Sequence, residues 1–119
     1  MTESAAEPTL FERIAAREIP AQIVAETDRV IAFHDIAPKA PVHVVVTPKQ
    51  GHYRDVVELA EGDPELLAEL VAVARGIAAD LSDGDFRLIF NTGGGAGQTI
   101  FHVHAHVLAG GLEEASLAG

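Results

Sequence analysis

Three histidines stand at alternate positions in Ile100-Phe101-His102-Val103-His104-Ala105-His106-Val107-Leu108. Along a strand, successive side chains point to opposite faces. His102, His104 and His106 would then share one face, with neighbours about 6–7 Å apart, while Val103, Ala105 and Val107 face a core. A lone histidine is usually a satisfied structural residue, but packing alone does not call for three in strict alternation. Two chemistries use such a set. Neutral imidazoles at i and i+2 can both reach a zinc ion. Alternatively, an imidazole whose second nitrogen is held by a hydrogen bond can attack phosphorus through its unprotonated nitrogen. Its neighbours would then donate hydrogen bonds to phosphoryl oxygens or protonate a leaving group.

The residues that lead into this segment favour the second chemistry. Asn91-Thr92-Gly93-Gly94-Gly95-Ala96-Gly97-Gln98-Thr99 combines a glycine-rich turn, whose amides can approach an anion, with the side-chain donors Gln98 and Thr99. A glycine-rich loop by itself is a weak signal. Joined to three aligned histidines, it points to a phosphate site rather than a metal site. The chain has no cysteine, so thiolate metal sites and disulfides are excluded. No metal and no other cofactor is expected.

The formal net charge of −10 argues against nucleic-acid binding, which depends on Lys and Arg to displace counterions. The acids are unevenly placed. None occurs from Ile36 to Arg54 or from Phe86 to Leu112, and these stretches hold five of the six histidines. A small anionic ligand can therefore meet a locally non-repulsive site. No apolar run approaches the length of a membrane span. The N-terminal residues lack the basic and apolar regions of a signal peptide, so a cytoplasmic location is expected.

The 119 residues suit one domain, expected over residues 9–119 after a disordered N-terminal segment, 1–8. Thr9-Leu10-Phe11-Glu12 has the form of a capping box and predicts a short helix ending before Ile19-Pro20. Strands are predicted over Gln22–Glu26, Val30–His34, Val42–Thr47, Phe86–Asn91 and Ile100–Leu108. Asp63-Pro64 marks the start of a long amphipathic helix that Ser82-Asp83-Gly84 ends. The order predicts an α+β fold with a mainly antiparallel sheet and helices packed on it.

The segment Gly97 to Leu108 resembles the signature of the histidine-triad (HIT) family. It is most similar to the Hint branch, the nucleoside phosphoramidate hydrolases. Phe11 with Arg17-Glu18-Ile19-Pro20-Ala21, and the run from Ala32 to His43, agree in the same order. The likeness extends from about Thr9 to Gly111. It implies a sheet of about five strands with two helices, usually in a homodimer.

The resemblance also implies roles. His104 would be the nucleophile, and His106 would contact the phosphate and assist departure of the leaving group. His102 and His43 would support them by setting tautomers. Asn91 and Thr99, within the loop that also holds Gly97 and Gln98, match the phosphate end. Asp35 matches the residue that binds the ribose hydroxyls. Leu10, Phe11, Ile14, Ile19, Phe33 and Ile36 match the apolar walls around a purine base, although on pattern alone they read as core. His34 lies within the same nucleotide-binding segment, but its side chain, like that of His52, reads as structural or surface. The activity implied is hydrolysis of the P–N bond of purine nucleoside 5′-phosphoramidates through a nucleotidyl-histidine. The alternatives are a dinucleoside polyphosphate hydrolase of the same family and a nucleotide-binding module with vestigial turnover. The expected partners are a purine nucleotide and a second copy of the chain, with neither nucleic acid nor membrane.

Overall fold

In the computed structural model, which describes residues 7–113, the capping box at Thr9 starts helix α1 (Leu10–Ala15). The Thr9 hydroxyl accepts the Glu12 amide, and the Glu12 carboxylate accepts the Thr9 amide. Most of the terminus expected to be disordered, and the tail beyond residue 113, lie outside the described residues. Strands β1 (Ile23–Glu26), β2 (Val30–His34) and β3 (Val42–Pro48) follow. Helices α2 (Val56–Gly62) and α3 (Pro64–Leu81) come next, then β4 (Arg87–Ile89), a 3-10 turn at Gly94–Ala96, and β5 (Ala105–Ala109). The sheet order is β1-β2-β3-β5-β4, with every neighbouring pair antiparallel. None of the helices is long and apolar enough to cross a membrane.

Strand alternation divides the molecule into two layers of contact. Val30 and Ala32, Val44 and Val46, and Ala105 and Val107 form the main core with Leu66, Leu70, Ala74 and Ile77 of α3. Asp63 caps α3 by accepting the Leu66 amide, and Pro64 occupies its first turn, where a missing N–H costs nothing. On the other sheet face, Phe33 and Val45 form a smaller cluster with Phe11 and Ile14 of α1. This second face carries the histidines.

The expected α+β architecture and five-stranded sheet are present, with three α-helices among the described residues rather than two. The additional helix, α2, is seven residues long and is capped by Asp55, which accepts the Glu58 amide. Leu59 is its one fully buried anchor, so it shows no extended apolar stripe in the sequence.

A second difference affects the histidines directly. The predicted strand Ile100–Leu108 begins only at Ala105, so His102 and His104 precede it in irregular backbone. Here Val103 gives its N–H to the Tyr53 carbonyl, and its own carbonyl accepts the Thr47 hydroxyl. These distant partners replace ladder bonds, and the expected common face of all three histidines is lost. His102 is fully buried instead.

Candidate active site

Strand register lays out the floor of a cavity. Phe33 is paired with Val45, Val45 with His106, and His106 with Ile89, placing four cavity-lining residues in a row across the sheet. The next residues along, His43 and Leu108, are also paired and also face it. Leu10, Phe11 and Ile14 of α1, with Ile19, wall one side. Asp35 and Ile36, in the loop after β2, and Asn91, Gly97 and Thr99, in the loop after β4, also line it, as does His104 just before β5. The cavity holds about 510 Å³, within the range of small-molecule sites.

The hydrogen bonds determine where each imidazole carries its proton, because a carbonyl only accepts and an amide N–H only donates. His104 Nδ1–H donates to the His102 carbonyl at 2.8 Å, so His104 Nε2 is left with a free lone pair. His102 Nε2–H donates to the Pro48 carbonyl at 2.7 Å, and its Nδ1 accepts the Thr9 hydroxyl at 2.6 Å. The Lys39 amide donates to His43 Nδ1 at 3.0 Å, which places the His43 proton on Nε2. That proton is donated to His106 Nδ1 at 2.9 Å, leaving His106 with its own proton on Nε2. An unprotonated nitrogen on His104 thus stands beside an N–H on His106, their rings 5.3 Å apart. The Phe11 ring packs edge-on against both His102 and His104.

All four imidazoles are biased toward the neutral form. Burial pushes His102, His43 and His104 below the ordinary imidazole range. His106 is pushed down to about 4, chiefly by burial and then by the neighbouring His104 and His43. The Asp35 carboxylate opposes these shifts at His43, His104 and His106. Neutrality is the state a histidine needs to act as a nucleophile.

Asp35, His43 and His106 place one donor atom each within 4.8 Å of one another, a spacing that could hold a metal ion. The Lys39 amide works against that use. A metal on His43 Nε2 would move the imidazole proton to Nδ1, directly against an N–H that already points at it. The arrangement present is a hydrogen bond from His43 Nε2 to His106 Nδ1, with Asp35 Oδ2 3.4 Å from His43 Nε2.

Most of the residues singled out in the sequence converge here, including the exposed His34 at the rim. Two do not line the cavity. Buried His102 lies behind His104, and buried Gln98 lies behind the glycine loop. Gln98 Oε1 accepts the Gly93 amide, and its Nε2 donates to the carbonyls of Arg54 and Ile100. It braces the loop rather than facing a ligand. Gly97 turns the chain at φ 92°, in the left-handed region where a side chain would be strained. His52 lies outside the cavity, its ring near Tyr53.

Lys39 was not singled out from the sequence. Among the described residues lining the cavity it is the one cation, and Asp35 is the one carboxylate. The signal available for Lys39 is its position in the acid-free stretch between Ile36 and Arg54.

Comparison with known proteins identifies the family and the fold. The HIT domain family model matches residues 16–111. An uncharacterised HIT-like protein of Synechocystis is 48% identical over 109 residues, covering 88% of this chain and 92% of its own. The structure of a HIT family hydrolase from Clostridium thermocellum superposes with a TM-score of 0.82 at 42% identity, covering 89% of this chain and 93% of that one. A histidine triad nucleotide-binding protein from Candida albicans superposes with a TM-score of 0.74 at 27% identity, covering 83% of this chain and 72% of that one. On sequence and fold, the chain belongs to the HIT domain family.

Proposed function

We propose that this protein is a purine nucleoside phosphoramidase of the Hint type, which cleaves the P–N bond of nucleoside 5′-phosphoramidates. One observation carries the reading: His104 has its Nδ1 proton committed to the His102 carbonyl, so Nε2 is an unprotonated nitrogen in a cavity-lining ring. The similar proteins named above as a hydrolase and as nucleotide-binding support it.

In this scheme the purine lies among Leu10, Phe11, Ile14, Ile19, Phe33 and Ile36. Asp35 accepts hydrogen bonds from the ribose hydroxyls, while its Oδ1 is steadied by the Ala37 amide. Asn91, Gly97 and Thr99 hold the phosphate, with Gln98 keeping their loop in shape. His104 Nε2 bonds to the α-phosphorus as the P–N bond breaks, and the departing amine leaves with a proton taken from solvent while the His106 Nε2–H donates to the phosphate and steadies the departure. Water then attacks phosphorus and returns a proton to solvent. His104 leaves as neutral imidazole, and the nucleoside monophosphate is released. The chain's own side chains and backbone amides supply every group this scheme uses, and the proposed turnover needs no metal. A nucleotide substrate goes with a cytoplasmic location. The protein acts as a homodimer, which sedimentation would reveal as twice the chain mass.

Lys39 favours a second reading, a dinucleoside polyphosphate hydrolase, because a cation beside the site could pair with additional phosphates. The test compares turnover of an adenosine phosphoramidate with that of a dinucleoside polyphosphate. It is combined with mass spectrometry of the quenched enzyme. The phosphoramidate should be the faster substrate, and the nucleotide adduct should lie on His104. Faster polyphosphate turnover supports the second reading, and an adduct on His106 removes His104 as the nucleophile. No turnover of either would leave a nucleotide-binding module.

A further inference from the structure

The hydroxyl of Thr9 occupies a junction that the proposed chemistry has not used. It accepts the Glu12 amide at 3.1 Å as the cap of α1, so its single proton is free to be given elsewhere. That proton goes to His102 Nδ1 at 2.6 Å, across 93 residues of sequence. The opposite nitrogen of His102 donates to Pro48. The ring is therefore held at both ends, with no freedom to exchange tautomers without breaking a buried hydrogen bond. The backbone carbonyl of the same residue is the group that accepts the His104 Nδ1 proton.

The surroundings leave little room for adjustment. The Glu12 carboxylate accepts the amides of both Thr9 and Gly51, tying the start of α1 to the segment after β3. A Cβ at Gly51 would lie 3.2 Å from His102 Nδ1 and 3.3 Å from the Thr9 methyl, tighter than most side-chain contacts. Two residues along from Thr9, Phe11 packs against both imidazoles. The start of α1 thus contacts the imidazole pair through a hydrogen bond and a ring.

We propose that Thr9 is a positioning residue for His104: its hydroxyl caps α1 and, by donating to His102 Nδ1, holds the His102 ring and carbonyl that fix the His104 tautomer. The helix that walls the apolar end of the cavity and the histidine at its reactive end are set by one hydroxyl. The link to catalysis rests on the phosphoramidase reading, whereas the link to the histidine tautomers does not.

Two substitutions separate positioning from simple helix capping. Thr9→Ser keeps both acceptor and donor. Thr9→Asp keeps a good N-cap, since a carboxylate accepts the Glu12 amide well, but has no proton to donate to His102. Facing a carboxylate, His102 Nδ1 would take a proton of its own. The experiment records ring nitrogen shifts of ¹⁵N-histidine-labelled protein, with the melting temperature, kcat and KM for an adenosine phosphoramidate. Wild type and Thr9→Ser should show His102 protonated on Nε2 alone, His104 protonated on Nδ1 alone, and similar kcat. Thr9→Asp should melt close to wild type but show His102 protonated on both nitrogens. Its kcat should fall by about tenfold or more with KM little changed. Glu12→Ala serves as a control: it weakens the cap without touching the hydroxyl bond to His102, so the melting temperature should fall and kcat should hold.

Wild-type ring shifts and kcat in Thr9→Asp would overturn the proposal. So would a loss of kcat in Glu12→Ala equal to that in Thr9→Asp, since the effect would then run through the helix alone. If wild type turns over no phosphoramidate, the proposed function fails. The ring shifts would still decide whether Thr9 sets the histidine tautomers.

Discussion

The division of labour among the histidines follows from their partners rather than from their spacing. His104 and His106 are two residues apart and both face the cavity, yet one presents a lone pair and the other a proton. The acid limb of kcat/KM should therefore lie below the ordinary imidazole range, because burial resists protonation of His104. A limb at or above about pH 6.5 would show that burial does not hold the His104 value below that of a free imidazole. Asp35 carries a separate expectation. A carboxylate can accept from both vicinal hydroxyls of ribose, and hydrogen bonds to charged groups are worth roughly 1.5–3 kcal/mol. Asp35→Ala should lower kcat/KM for a ribonucleotide substrate by about 10- to 150-fold and leave a 2′,3′-dideoxy substrate little affected. Equal losses on both substrates would remove the ribose assignment.

At the scale of elements, the cavity is an assembly of loop ends over one face of a rigid sheet. The loop after β4 is the part most dependent on a single side chain. Gln98 satisfies the Gly93 amide and two carbonyls from its buried position. Gln98→Ala leaves these groups without that partner, at a cost of about 1–3 kcal/mol for each one that water cannot reach. The expected result is a higher KM with a smaller change in kcat, because Gly97 and Thr99 lose their placement while His104 keeps its own support. A fall in kcat at constant KM would instead place Gln98 in the chemical step. Helix α3 has a different task. Leu70 is fully buried against the opposite sheet face, so Leu70→Ala should cost about 2–5 kcal/mol, read by chemical denaturation. A loss below about 1 kcal/mol would mean that α3 does not hold the sheet as described.

For the whole molecule, four imidazoles held neutral link stability to pH. His43, His102, His104 and His106 all have folded-state values below that of an unfolded imidazole. Between about pH 6.5 and about 4 the unfolded chain binds more protons than the folded one, so stability falls as the pH is lowered through that window. The loss is complete only below the folded value, which for His106 is about 4. The melting temperature should therefore be highest above about pH 7 and decline steadily toward pH 4.5, and the decline should be shallower in His106→Asn. A flat profile over that range would show that the imidazoles are not held neutral. The net charge of −10 brings no surplus of acid into the cavity, where Asp35 is balanced by Lys39 among the described residues.

What the sequence determined by itself is local or periodic. The runs Val30–His34 and Val42–Thr47 marked strands, although the fold was needed to show that Phe33 and Val45 face the cavity while Ala32 and Val44 face the core. Thr9 with Glu12, and Asp63 with Pro64, marked helix starts through bonds spanning three residues. The absence of acids from two stretches fits a cavity in which Asp35 is the one carboxylate among the described lining residues. Three aligned histidines beside a glycine loop pointed to its chemistry, and the family likeness supplied candidate roles. Tertiary structure decided the rest. The alternation at His102 and His104 does not describe a common face, since Val103 bonds to Tyr53 and Thr47 rather than to a neighbouring strand. Gln98 looked like a ligand donor, yet its amide is spent on distant backbone. The tautomers depend on Thr9, Lys39 and Pro48, residues 93, 4 and 54 positions from the rings they hold. A local pattern shows which groups a segment carries, but the proton on an imidazole belongs to whichever partner the fold brings to it.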